Sequence, residues 1–205
     1  MITHNVKRTD VRTHNLMTMS ESIFLKNVRL SYEHIFRADK VAGDENSTPR
    51  FSASWIIRKD DPQIKKVKEA LVKALDEKFP GKRKSGNPWP SNMHNPLKDG
   101  DEMADEHPEY EGCYVLRSGS KSRPLVIDRK KHPLTEEDGV IYSGCFCNVS
   151  LAAAGFDAQV KKGVTVYLNG VQFFRDGERL AGYDAMNDFE ELDDENGGES
   201  DDDII

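Results

Sequence analysis

Apolar residues follow two rhythms along this chain. In SIFLKNVRLSY, from Ser22, Val28 and Leu30 fall on one side and Arg29 and Ser31 on the other, the period-two pattern of a half-buried β-strand. RFSASWIIRK repeats it, with Phe51, Ala53, Trp55 and Ile57 alternating with Ser52, Ser54, Ile56 and Arg58. Between the two, RADKVAGDENSTP reads as a loop from its Gly, Asp, Asn and Pro content. In DDPQIKKVKEALVKALDEKFPG the rhythm changes. Ile64, Val67, Leu71 and Leu75, with Val72 nearby, form an apolar stripe at helical spacing. Asp61 suits the N-cap, Pro62 the first helical position, and Pro80-Gly81 the stop. Three more strand-like runs follow: GCYVLRSGS, GVIYSGCFCNVSLAAAGF and KGVTVYLNGVQFFRDG, the last with Gly170 as a bulge or bend.

The pattern therefore predicts an all-β fold with one helix: five strands, the helix between the second and third, and a long loop insertion over residues 82–110. Small all-β domains must close up or cover their edges. A five-stranded barrel of the oligonucleotide/oligosaccharide-binding type, the OB-fold, fits this count, and a sandwich also satisfies it. Residues 1–20 read as a flexible N-terminal arm in which Lys7, Arg8 and Arg12 could touch phosphate. Residues 21–183 form the body, and residues 184–205 a disordered acidic tail.

Period two also sorts the side chains that could carry chemistry. Ile141, Ser143, Cys145, Cys147 and Val149 share one face; Tyr142, Gly144, Phe146, Asn148 and Ser150 share the other. Tyr114 goes with Leu116, away from Cys113 and Val115, and Tyr167 goes with Thr165 and Asn169. Three strands can thus each offer an aromatic to one polar side. Basic residues follow closely: Arg117, Lys121 and Arg123, then Arg129, Lys130 and Lys131. Aromatic platforms beside a positive groove suit single-stranded nucleic acid, because every base has a stackable face and the cations track the backbone.

Charge divides the chain. Of 36 acids and 29 bases, 11 acids and no Lys or Arg lie between Asp184 and Ile205, leaving 25 acids against 29 bases in the body. A mildly basic body tied to an acidic tail suggests polyanion binding with the tail competing for the same surface. The chain then ends in DDDII, where Asp201, Asp202 and Asp203 precede two apolar residues, Ile204 and Ile205, that look like something for another surface to hold. No run approaches the length of a membrane span, the start lacks a secretory h-region, and three cysteines make no disulfide framework, which together point to a reducing cytoplasm. Cys113, Cys145 and Cys147 with His94 or His107 could hold zinc, but Cys-x-Cys on a face shared with Ile and Val reads better as core thiols. The carboxylates of NPLKDGDEMADEHPEY read as a solvated turn rather than a nuclease metal site, and there is no phosphate-cradling loop or nucleophile elbow. The expectation is a non-enzyme without cofactors.

Several stretches together resemble a known family: VRLSYEHIF, FSASWIIRKDDP, NPLKDGDE, PEYEGCYVLRSGSKSRPLVIDR, YSGCFCNVSLAAAGF and GVTVYLNGVQFFRDGERLAG. Over residues 23–183 the chain is similar to the single-stranded DNA-binding proteins of tailed phages and prophages, long catalogued as a domain of unknown function and similar in plan to the T7-type phage protein. The resemblance implies an OB-fold, sequence-nonspecific coating of single strands in the host cytoplasm during replication and recombination, and an acidic tail that recruits replication or recombination proteins. It leaves a homodimer open. The tail departs from the pattern in lacking a terminal aromatic, a gap that Phe189 could fill. On both readings Tyr114, Tyr142 and Phe146 would stack bases, and Arg117, Lys121, Arg123, Arg129, Lys130 and Lys131 would meet phosphates, with Tyr32, Trp55 and Arg175 completing the set. The alternative is a non-enzymatic adaptor of a replication complex whose DNA affinity is incidental. A metal-dependent nuclease ranks behind it.

Overall fold

A computed structural model of the chain describes residues 22–40, 47–82 and 89–180. The expected arm, with Lys7, Arg8 and Arg12, and the expected tail, with Phe189, Asp201, Asp202, Asp203, Ile204 and Ile205, lie outside the described residues.

The first strand, β1 (Ser22–Asp39), is long enough to serve two partners. Its first part pairs antiparallel with β6 (Phe146–Asp157), from Ser22 opposite Ala152 to Arg29 opposite Phe146. From Arg29 onward it pairs with β2 (Arg50–Arg58). Register breaks between Leu25 and Val28 and between Ser31 and His34 let it bend from one partner strand to the other, and Asn27 and Tyr32 take positive φ there. β2 pairs with β4 (Cys113–Ser120), and β6 with β7 (Lys162–Arg175). β4 and β7 meet in parallel at Gly119 and Tyr167. That contact closes a five-stranded barrel in the order β1-β2-β4-β7-β6, an OB-fold rather than a sandwich. The three-residue strands β3 (Leu97–Asp99) and β5 (Leu125–Ile127) extend the edges of β4 and β7.

The alternation seen in sequence fills the barrel. Leu25, Val28, Leu30, Ala53, Trp55, Ile57, Leu116, Cys147, Val149, Leu151, Ala153, Val164, Val166 and Leu168 are all buried. Asn169 is the extra residue where β7 slips against β6, one position from the bend expected at Gly170. The helix α1 (Gln63–Lys78) buries Ile64, Val67, Leu71, Ala74 and Leu75 and packs chiefly on β6. It begins one residue later than expected, and the Asp61 carboxylate still accepts the Gln63 N–H at 2.8 Å. Its last turn sits so close to Gly155 that a Cβ there would stand 2.2 Å from the Lys78 Cβ and 2.8 Å from the Ala74 carbonyl oxygen.

The 82–110 segment, expected as an open loop, carries β3 and two 3-10 turns, Asp101–Met103 and Pro108–Tyr110. Tyr110 lies over the outward-facing Ile56, Val115 and Cys113, with Met103 and Leu180 against the same cluster. It also buries Ser31, whose hydroxyl is 2.9 Å from the Tyr110 hydroxyl. This cover explains why outward positions of β2 and β4 are apolar. The Cys145 and Cys147 thiols lie 3.6 Å apart inside the barrel, and Cys113 sits under Tyr110, where burial pushes its thiol pKa up. Among the described residues no group of three or more His, Cys, Asp or Glu is placed to hold a metal ion.

Candidate nucleic-acid interface

Barrel closure at Gly119 and Tyr167 brings the outer faces of β2, β4 and β7 side by side. On β4 the outward positions are Val115, Arg117 and Gly119; on β2 they are Ile56, Ser54 and Ser52, their register partners. The apolar pair lies under Tyr110, and beyond it the face opens into a cleft of about 300 Å³ lined by Asp39, Arg50, Ser52, His94, Arg117, Gly119 and Thr165. A second cleft of about 340 Å³ adjoins it through Arg50, His94 and Thr165 and adds Phe156, Lys161 and Tyr167. Small residues at Ser52, Gly119 and Thr165 form the floor, and cations stand on the walls. Among the described residues no carboxylate forms an ion pair with Arg50, Arg117 or Lys161. Three cations that no described carboxylate pairs, around a groove lined by small residues, make a surface that an anionic polymer can enter.

The rings are arranged at both ends of this groove. At one end the His94 and Phe156 rings meet edge to face at 6.0 Å, and Tyr167 is exposed. At the other, exposed Tyr32 meets His107 edge-on at 5.6 Å, and His107 tilts against Tyr110 at 4.9 Å. Ser31, Ser54 and Arg117 form one cross-strand row, so Arg117 lies between the two clusters. Its charge acts on both: burial raises the Tyr110 pKa and lowers that of His94, and in each case the Arg117 guanidinium adds a pull downward. Burial is the larger cause at both sites.

The structure sorts the residues expected from sequence. Arg117 lines the groove, and Tyr32 is exposed beside His107, next to Ser31 at the end of the Ser31–Ser54–Arg117 row. Lys121 and Arg123 are exposed on the short connection from β4 to β5, which runs from beside Tyr167 to beside Gly170. Trp55 is not a platform. It is fully buried inside the barrel, where its indole Nε1 donates to the Ser118 hydroxyl at 2.8 Å. Tyr114 is also off the face, because with Leu116 it points inward, and its ring lies under the Lys68 ammonium at 4.1 Å.

Tyr142 and Phe146 are half-buried on the outside but already have partners. The Arg175 guanidinium stacks on Phe146 at 3.4 Å from the ring centre, and Arg179 covers Tyr142 at 4.3 Å. The Tyr142 hydroxyl also bonds Asp176 and Gly177, and Arg29 donates to the Glu178 and Gly144 carbonyls. These contacts strap residues 175–180 to the barrel. Leu180, at the end of the strap, donates its N–H to the Ser143 carbonyl at 3.0 Å and packs by Ile56 and Val115, on the same outer face as the groove.

Arg129, Lys130 and Lys131 sit on a turn after β5, capped by the Asp128 carboxylate, and Arg129 leans on the Phe173 ring at 5.5 Å. Phe173 is six residues past Tyr167 along β7, about 20 Å at strand spacing, so this turn lies apart from the groove. Sequence reasoning did not single out Arg50, Lys161, Phe156 or His94 for this role. Tyr167 it placed on the polar side, which the structure bears out.

A family model described as Enterobacter phage Enc34, ssDNA-binding protein, matches residues 21–203. A protein called p50 from Acyrthosiphon pisum secondary endosymbiont phage 1 is 37% identical over 177 residues, covering 84% of this chain and 92% of that protein. Among solved structures, the single-stranded DNA-binding protein from bacteriophage Enc34 in complex with ssDNA superposes with a TM-score of 0.66 at 24% identity, over 78% of this chain and 89% of that one. The gp2.5 single-stranded DNA-binding protein of bacteriophage T7 superposes with a TM-score of 0.55 at 17% identity, over 88% and 98%. At these identities the two structural likenesses bear on the fold alone.

Proposed function

Since the chain belongs to the family described by the single-stranded DNA-binding protein of Enterobacter phage Enc34, we propose that it binds single-stranded DNA without sequence preference in the β2–β4–β7 groove. The observation that carries this reading is the juxtaposition of Arg50, Arg117 and Lys161 with the Tyr167, Phe156 and His94 rings. OB-folds bind oligonucleotides on this strand face and the loops beside it. Phosphates meet the cations while bases stack on exposed rings, and a floor of small residues admits the strand. Lys121 and Arg123 extend the path at the Tyr167 end, and Tyr32 offers a further ring at the Tyr110 end. No step of this reading calls for catalysis.

The acidic tail fits the same picture. The last described residue, Leu180, lies on the groove's own outer face, so the 25 residues beyond it begin beside the site. Extended, they reach about 80 Å, more than enough to lay the carboxylates of residues 184–203 over the cations. DNA displaces the tail and frees Asp201, Asp202, Asp203, Ile204 and Ile205 for replication or recombination proteins of the host cytoplasm. The test is the anisotropy of labelled oligo-dT titrated with the full chain at several salt concentrations, against a duplex of equal length. Tighter single-strand binding with a steep salt slope supports the reading. Equal or absent binding refutes it and leaves the adaptor.

A further inference from the structure

His94 is held more firmly than a groove residue needs to be for a packing role. Its N–H donates to the Lys162 carbonyl at 2.8 Å, and its carbonyl accepts the Val164 N–H at 3.0 Å. Its ring Nδ1 lies 2.8 Å from the Val164 carbonyl. Gly163 makes this bridge possible: its φ is +143°, and a Cβ there would stand 2.4 Å from the His94 N and O atoms. The half-buried imidazole forms a wall common to both clefts of the groove.

The hydrogen bonds decide the chemistry of the ring. A carbonyl only accepts, so Nδ1 carries its hydrogen in the neutral form as well as the charged one. Nε2 is therefore the atom that gains or loses a proton. Burial, first, and the charges of Lys161, Lys98 and Arg117 hold the pKa below the ordinary histidine value, against the pull of the Val164 carbonyl. The remaining charged groups lining the two clefts are Arg50 from β2, Asp39 at the end of β1 and Lys40 just beyond it; Lys162 and Asp157 of the β6–β7 hairpin line a neighbouring hollow that His94 also borders. Cations thus outnumber carboxylates around the ring. A phosphate placed among them reverses the local field and gives an Nε2–H a charged acceptor.

We infer that His94 binds a backbone phosphate through Nε2 and takes up a proton as the strand enters. This rests on the single-strand reading above and adds a pH dependence that the reading alone does not require. Binding that consumes a proton strengthens as pH falls, by up to about tenfold per pH unit between the free and bound pKa values. Lys and Arg do not titrate in that range.

The experiment measures oligo-dT affinity of the full chain from pH 8.5 to 6 at fixed salt, for the parent and for His94→Gln, whose amide can still donate to the Val164 carbonyl. The parent is expected to tighten at least about threefold between pH 8 and pH 6, and the variant, whatever its affinity at pH 8, to show a flat profile over the same range. Calorimetry near pH 7 in two buffers of different ionisation enthalpy is expected to show proton uptake for the parent and none for the variant. If the variant fails to fold, the imidazole nitrogen resonances of the parent complex decide, with Nε2 protonated as the expected result. Intact binding without pH dependence, or pH dependence that survives His94→Gln, overturns the inference. If the parent binds oligo-dT at no pH, the underlying reading fails instead.

Discussion

Neutralising the groove tests the account where its numbers are sharpest. The perturbation is the triple substitution Arg50→Gln, Arg117→Gln and Lys161→Gln. All three cations line the groove, and none forms an ion pair with a described carboxylate, so their loss leaves no buried acid behind. Each phosphate neutralised on a single strand releases about 0.7 of a counterion, worth about 1 kcal/mol at roughly 0.1 M salt. Three contacts therefore amount to about 3 kcal/mol, a loss of roughly a hundredfold in affinity, and flatten the slope of log K against log salt by about 2. The assay is anisotropy of labelled oligo-dT across a salt series. The comparison is Arg129→Gln, Lys130→Gln and Lys131→Gln, which removes the same charge from a turn outside the groove and is expected to cost far less. Equal losses from the two variants would show that net charge, rather than the groove, holds the DNA.

Three further outcomes follow from the same geometry. Trp55→Phe leaves Ser118 its bond to the Ala53 carbonyl at 3.2 Å, so thermal or urea unfolding is expected to show a loss of about 2–3 kcal/mol from the lost indole bond and the space it leaves, with oligo-dT affinity unchanged. Weakened binding by the folded variant would return Trp55 to the site. Gly163→Ala forces a side chain onto the His94 backbone at a φ that L residues rarely adopt. It is expected to lower stability by at least about 2 kcal/mol and to weaken DNA binding, and wild-type values in both assays would contradict the His94 bridge. Deleting residues 184–205 is expected to tighten oligo-dT binding most at low salt, where carboxylates compete best, and unchanged affinity would remove the tail from the groove.

Much of the barrel was legible because burial and period two coincide in β1, β6 and β7: Val28 and Leu30, Val149 and Leu151, and Val164, Val166 and Leu168 all point inward as their spacing requires. The α1 stripe was legible for the same reason at helical period. β3 and β5, at three residues each, are too short to show a rhythm. In β2 and β4 both faces carry apolar residues, because Tyr110 arrives from the insertion to cover Ile56 and Val115. Alternation there separates two faces without saying which looks inward, and so Trp55 and Tyr114 read as platforms. Arg117 was legible only as a cation close behind an aromatic strand position, since by period two it falls with Cys113 and Val115, away from Tyr114. Arg50, His94 and Lys161 were not, since 44 and 67 residues separate neighbours that only barrel closure brings together. Nor does any local pattern reveal that Arg175 turns back over Phe146, 29 residues earlier.

The central claim is the place where the strand lies, and photo-crosslinking tests it most directly. Oligo-dT carrying 5-iodouracil would be bound to the full chain, irradiated and digested, and the modified residues identified by mass spectrometry. Crosslinks at Tyr167 or Phe156, which line the groove, are the expected result, with Tyr32 beyond its Tyr110 end as a further target. Crosslinks confined to Tyr142 and Phe146, with the groove rings unmodified, would contradict it and place the DNA on the strap of residues 175–180.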